Sequence, residues 1–228
     1  MPSPLADAEK RPFDIHAVMR RVAKAVEPFP KAAMFDLRDR GHDTPFEQLA
    51  ACILSIRTRD EVSLPAALRL FAAARTPAEV ARRTVAEIDA LVGDVAFHAA
   101  KAAQIHELAV AVVRDHGGAL PCDEAVMMGF RGVGPKCANL AAGVACGRAR
   151  IGVDVHVHRV TNRWGYVAAP APEATLSALE ATLPERYRVE INRVLVPFGK
   201  HVCTGRLPKC STCPVLAWCR QVGVTRHR

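Results

Sequence analysis

The chain has no apolar run approaching the roughly 20 residues that a membrane span needs. Residues 1–10 hold acids and prolines but none of the apolar stretch that a secretory signal carries. Strand-type alternation is nearly absent, which argues against any class built on sheets. Internal repeats, low-complexity segments and long linkers are missing too. The expectation is a soluble, cytoplasmic protein. Acids are also missing from one region: residues 186–228 hold nine bases and a single acid, Glu190. That end alone carries the formal charge of +8, and the rest balances 22 bases with 22 acids. A localised basic end suggests a polyanionic partner, most often nucleic acid; a tail that only aids solubility is the plainer alternative.

What is present is helix. Half of the 228 residues are hydrophobic, enough for one compact domain or two small ones. Phe13, Ala17, Val18, Val22 and Val26 form an apolar stripe at helical spacing. Thr44-Pro45-Phe46-Glu47, Thr76-Pro77-Ala78-Glu79 and Thr84-Val85-Ala86-Glu87 each read as a capping box. The first two add a proline suited to the first helical turn. A long helix is predicted over 97–115, stopped by Gly117-Gly118, with others near 122–129, 135–146, 154–165, 173–183 and 185–200. About ten short helices make the class all-α.

Gly132-Val133-Gly134-Pro135-Lys136 falls between two predicted helices. The glycines permit a tight turn, and the N–H groups of the following helix carry its positive dipole end. Such a hairpin can hold a DNA phosphate without reading a base; an ordinary αα turn is the alternative. Lys136 sits in the first turn, where the dipole disfavours a cation. The same field lowers a lysine's pKa and favours the nucleophilic amine. The plain alternative is a tolerated surface lysine.

Asp154 precedes another predicted helix and reads as its N-cap. A carboxylate fixed there can also accept a proton or stabilise a developing cation. His156 and His158 lie two apart, poor spacing for joint metal ligation, and His156 is read as a hydrogen-bonding support.

Cys52, Cys122, Cys137 and Cys146 lie in apolar surroundings and are read as buried free thiols. Cys203, Cys210, Cys213 and Cys219 crowd into 17 residues, which argues for a metal. The spacing alone leaves zinc and an iron–sulfur cluster both open. Either would fix a loop displaying Arg206 and Lys209 towards phosphate.

Together these features resemble the endonuclease III branch of the helix–hairpin–helix (HhH-GPD) DNA glycosylases. The resemblance is carried by Phe130-Arg131-Gly132-Val133-Gly134-Pro135-Lys136-Cys137-Ala138, by Val153-Asp154-Val155-His156 and by the full C-x6-C-x2-C-x5-C pattern. The stretch from Cys52 to Asp60 is similar to the family's Leu-Leu-Ser-x-Gln-x-Thr-x-Asp, and that from Phe97 to Ala102 to another family segment. The resemblance implies a six-helix domain over 38–148 and a discontinuous helical domain of 1–37 plus 149–228 holding a 4Fe–4S cluster on the four clustered cysteines. Double-stranded DNA with a damaged base or abasic site would lie in a groove between them, bound by a monomer, with the base flipped out.

It further implies a bifunctional glycosylase/AP lyase of base excision repair acting on oxidised pyrimidines. Lys136 would attack C1′, and Asp154 would activate it. The hairpin residues Gly132, Val133 and Gly134, with His156, Arg206 and Lys209, would contact DNA. Arg57 stands where the family often has glutamine, the residue that fills the gap left by the flipped base, and Phe97 matches an apolar wedge. Arg131 replaces a proline and Val155 a threonine, departures that bear on lesion range. The alternatives are a related glycosylase for mismatched uracil or thymine or for an oxidised purine, and a non-catalytic cluster-containing DNA-binding protein.

Overall fold

The structure, a computed structural model, describes residues 10–228; the reading of the first nine residues as free of a signal lies outside it. The helices are α1 (Ile15–Val26), α2 (Ala33–Asp39), α3 (Pro45–Ser55), α4 (Asp60–Ala73), α5 (Pro77–Ala81), α6 (Val85–Val92), α7 (His98–His116), α8 (Glu124–Met128), α9 (Pro135–Cys146), α10 (Val155–Trp164), α11 (Pro172–Thr182) and α12 (Glu190–His201). No strand occurs among the described residues, so the class is all-α. No helix among them is long and apolar enough to cross a membrane.

Local chemistry sets many of these limits. All three capping boxes form: Thr44 Oγ1 accepts from Glu47 N at 3.2 Å while Glu47 accepts from Thr44 N at 3.2 Å, and Thr76 and Thr84 repeat the exchange. α7 stops where Gly117 and Gly118 take left-handed φ of 61° and 87°. The helix predicted over 185–200 is broken. Glu185–Tyr187 winds as a 3₁₀ turn, with Arg188 N bonded to Glu185 O, and α12 starts afresh at Glu190. A proline hides one helix, α4, from a sequence reading. α4 runs through Pro65 and α12 through Pro197, each giving up one backbone bond that packing offsets.

The chain forms two compact units. One is Ala33–Gly152; the other joins the segment ending at Ala32 to Val153–Arg228. The divisions fall outside 38 and 148 for a packing reason. α2 packs on α3, α4 and α9, and Asn139 Nδ2 donates to Ile151 O at 3.0 Å, so both flanking pieces stay with the first unit. In that unit α3 packs on α9; Leu49, Ile53 and Leu54 of the first and Ala138, Ala141 and Ala142 of the second are all buried. In the other, α12 packs on α1 and α10 around buried Trp164 and Phe198.

Two cysteines depart from expectation. Cys122 and Cys146 are not free thiols but a disulfide, spanning 24 positions with Cα atoms 6.1 Å apart. The pairing arises because α8 packs back on α9, which brings Cys122, two positions before the first helix, beside Cys146 at the end of the other. Cys52 and Cys137 do stay buried thiols, with Cys52 Sγ donating to Cys137 Sγ at 2.8 Å. Closing the 24-position loop between Cys122 and Cys146 is worth about 3 kcal/mol. Cys146→Ser, or reduction of the wild type, is therefore expected to lower the unfolding free energy by that much, moving the denaturant midpoint down and the m-value up, with the helical signal retained.

Candidate active site and nucleic-acid interface

In the first unit the hairpin between α8 and α9 is built as its sequence suggests. Buried Val133 anchors it, with Val133 N bonded to Phe130 O at 3.1 Å. Gly132 takes φ of 78°, which favours glycine, and it faces the flexible end of the Gln104 side chain. Gly134 is the N-cap of α9 and no side chain caps it. Pro135 is its first residue and half-buried Lys136 its second. Behind the lysine, the hydrogen bond from Cys52 and then burial push the Cys137 thiol well above its usual range. It stays protonated and does not compete with the amine. Arg131, the departure before the hairpin, pairs with Glu107 of α7 at 3.2 Å.

Two further residues are brought together on this unit. Arg57, just past α3, and Phe97, just before α7, are both exposed, and both take left-handed φ, at 54° and 59°. The guanidinium carbon lies 5.9 Å from the ring centroid. Lys101 lies inward of them. It is 4% exposed, and burial lowers its ammonium to about 8. No spacing argument singles it out, because its partners come from a different helix end.

In the second unit Asp154 caps α10. Its Oδ1 accepts from His156 N at 2.9 Å and Val157 N at 2.8 Å, and Oδ2 takes part in neither bond. The cap fixes the carboxylate at the start of the helix without consuming it. The His156 ring lies against Gly199 of α12, where a Cβ would sit 2.5 Å from Nδ1, and it meets Arg159 at 3.1 Å. It is a half-buried support, as its place predicts. His158 faces elsewhere, 2.7 Å from Thr175 Oγ1. Val155 is 62% exposed.

The arginines of α10 reach from this cap to the cysteine loop. Arg159 donates to Gly199 O at 2.9 Å and Cys203 O at 3.2 Å. Arg163 donates to Thr204 O and Gly205 O, each at 2.6 Å, and to Cys203 Sγ at 3.5 Å. Cys203, Cys210, Cys213 and Cys219 all line one cavity beside Trp164 and Phe198. Among the described residues, no three His, Cys, Asp or Glu side chains are arranged to hold a single metal ion. The loop is tied by its backbone: Lys209 N to Val202 O at 2.9 Å, and Ser211 N to Arg228 O at 3.1 Å. Lys10 closes it from the other terminus, donating to Leu216 O and Gln221 Oε1 at 3.1 Å each. Arg206 is exposed and Lys209 half-exposed on this loop.

The chain matches the family model for the HhH-GPD superfamily base excision DNA repair protein over residues 50–185. It is 35% identical over 176 residues to endonuclease III of Thermotoga maritima, spanning 77% of this chain and 83% of that one. To endonuclease III-like protein 1 of Bos taurus it is 36% identical over 177 residues, spanning 76% of this chain and 58% of the bovine one. Among solved structures, a trapped endonuclease III–DNA covalent intermediate is similar with a TM-score of 0.79 at 28% identity, covering 91% of this chain and 94% of that one.

Proposed function

The chain belongs to the HhH-GPD superfamily of base excision DNA repair proteins, within its endonuclease III family, and from that premise we propose a bifunctional DNA glycosylase/AP lyase that uses Lys136 as nucleophile and removes oxidised pyrimidines from duplex DNA. The observation that carries the reading is the half-buried lysine at the second position of a helix entered through a glycine hairpin, with a protonated thiol behind it. An amine there runs against the dipole rule, the mark of a functional group.

In the reaction, Nζ of Lys136 bonds to C1′ as the C1′–base bond breaks, and the base leaves with a proton. The Asp154 carboxylate accepts a proton and offsets the positive charge that develops on the sugar. The C1′–O4′ bond then breaks as O4′ takes up a proton, which opens the sugar to an iminium; this acidifies the C2′ hydrogen, whose loss expels the 3′ phosphate and nicks the strand. The hairpin's amides hold backbone phosphate. Arg57 and Phe97 enter the gap left by the flipped base. Arg57 has only donors to offer the orphan base, unlike the glutamine common in the family. The experiment is a comparison of single-turnover cleavage of duplexes carrying one thymine glycol, one 8-oxoguanine or one uracil opposite guanine. Thymine glycol is expected to be cut fastest; preference for either of the others moves the lesion class.

The residues also fit a 4Fe–4S cluster. Cys203, Cys210, Cys213 and Cys219 line one cavity and would hold the group through their sulfurs, and Arg163 donates to one of those sulfurs. When bound, the cluster cross-links the loop; it supplies no group to the reaction at the sugar. Purified protein is expected to be brown, with about four irons and four labile sulfides per chain. Cys210→Ser is expected to lose that absorbance and weaken DNA binding through a loosened Arg206–Lys209 loop. Colourless protein carrying zinc would contradict the assignment.

A further inference from the structure

A lysine buried in a helical domain without a carboxylate partner needs a reason, because its charge is unfavourable away from water. Lys101 belongs to the first turn of α7, and its Nζ has three partners. It donates to Leu54 O at 2.8 Å, Ile56 O at 2.6 Å and Thr58 Oγ1 at 3.1 Å. The carbonyls belong to the end of α3, where the helix leaves acceptors unused and its dipole favours a cation. Thr58 Oγ1 in turn accepts from Ala96 N at 3.1 Å. One ammonium therefore ties the loop after α3 to the loop before α7.

Each tied loop presents one exposed residue in a left-handed conformation that non-glycine residues rarely adopt: Arg57 from the first, Phe97 from the second. Such backbone persists only where surroundings over-determine it. Here the surroundings are the bonds of Lys101 to the residues on either side of Arg57, and the Thr58 link to the residue beside Phe97.

We propose that Lys101 is the positioning residue for Arg57 and Phe97, locking the two left-handed turns so that guanidinium and ring enter the DNA stack as one unit. This rests on the base-excision reading above. Lys101 touches no reacting atom; its effect passes through the two residues it orients, so it belongs to base extrusion and not to chemistry at C1′.

Single-turnover removal of thymine glycol tests this in the wild type, Lys101→Met, the Arg57→Ala/Phe97→Ala double variant and the triple variant. Fluorescence of 2-aminopurine opposite the lesion reports unstacking independently of bond breaking. Lys101→Met is expected to slow base removal on the order of 10–100-fold, the scale of misplaced positioning groups. It should cut the fluorescence rise and leave borohydride trapping on single-stranded abasic DNA at the wild-type level. In the background lacking Arg57 and Phe97 it should cause no further loss, because the three act together. Thr58→Val, which keeps shape and removes the links of Thr58 Oγ1 to both Lys101 and Ala96, should show the same pattern. Equal losses in both backgrounds, or an equal loss in single-stranded trapping, would overturn the proposal and leave Lys101 a fold residue. A wild type that neither unstacks nor removes the base would overturn the base-excision reading, and this inference with it.

Discussion

Lys136→Gln is expected to abolish base removal and strand nicking together, lowering the single-turnover rate by on the order of 10⁴-fold or more. Glutamine keeps a polar side chain one atom shorter and loses the basic lone pair, so no bond to C1′ can form. The fold should not suffer. Lys136 is the second residue of α9, where the helix dipole disfavours its charge, so glutamine is compatible with the helix start. DNA affinity should also persist, because the hairpin shape rests on Gly132 and buried Val133 and not on the amine. Binding assays beside the rate measurement separate this outcome from a protein that only binds DNA, which would be indifferent to the substitution.

Asp154→Asn carries the second largest effect. Asparagine caps helices as well as aspartate does, so the bonds from His156 N and Val157 N survive and α10 keeps its start. What disappears is the negative charge. The rate is expected to fall about 10²–10⁴-fold, the range for a lost acid–base group, with melting temperature unchanged. Asp154→Ala removes the cap as well and should add about 1 kcal/mol of destabilisation. Full activity in the asparagine variant would reduce Asp154 to a cap alone.

Much of this was legible in the residues because the signals are local. Three Thr-x-x-Glu boxes mark three helix starts, and paired glycines mark the end of α7. The Gly132 turn, the Asp154 cap and the clustered cysteines sit in short motifs whose geometry depends on near neighbours. What escaped depends on tertiary packing. The Cys122–Cys146 bond exists only because α8 folds back on α9. Lys101 reads as one more helical lysine until the end of α3 is placed beneath it. The meeting of Arg57 and Phe97, 40 positions apart, needs the same placement. Pro65 hid α4 because a sequence reading takes proline as a breaker, whereas packing against α2, α3 and α6 holds the helix through it.

The central claim is that one named amine forms the covalent bond to the sugar. Borohydride trapping on a duplex carrying one thymine glycol, followed by proteolysis and mass measurement of the cross-linked peptide, tests it most directly. The account predicts a single adduct whose sugar remnant maps to Lys136. No adduct, or one that maps to another amine such as the buried Lys101, would contradict it.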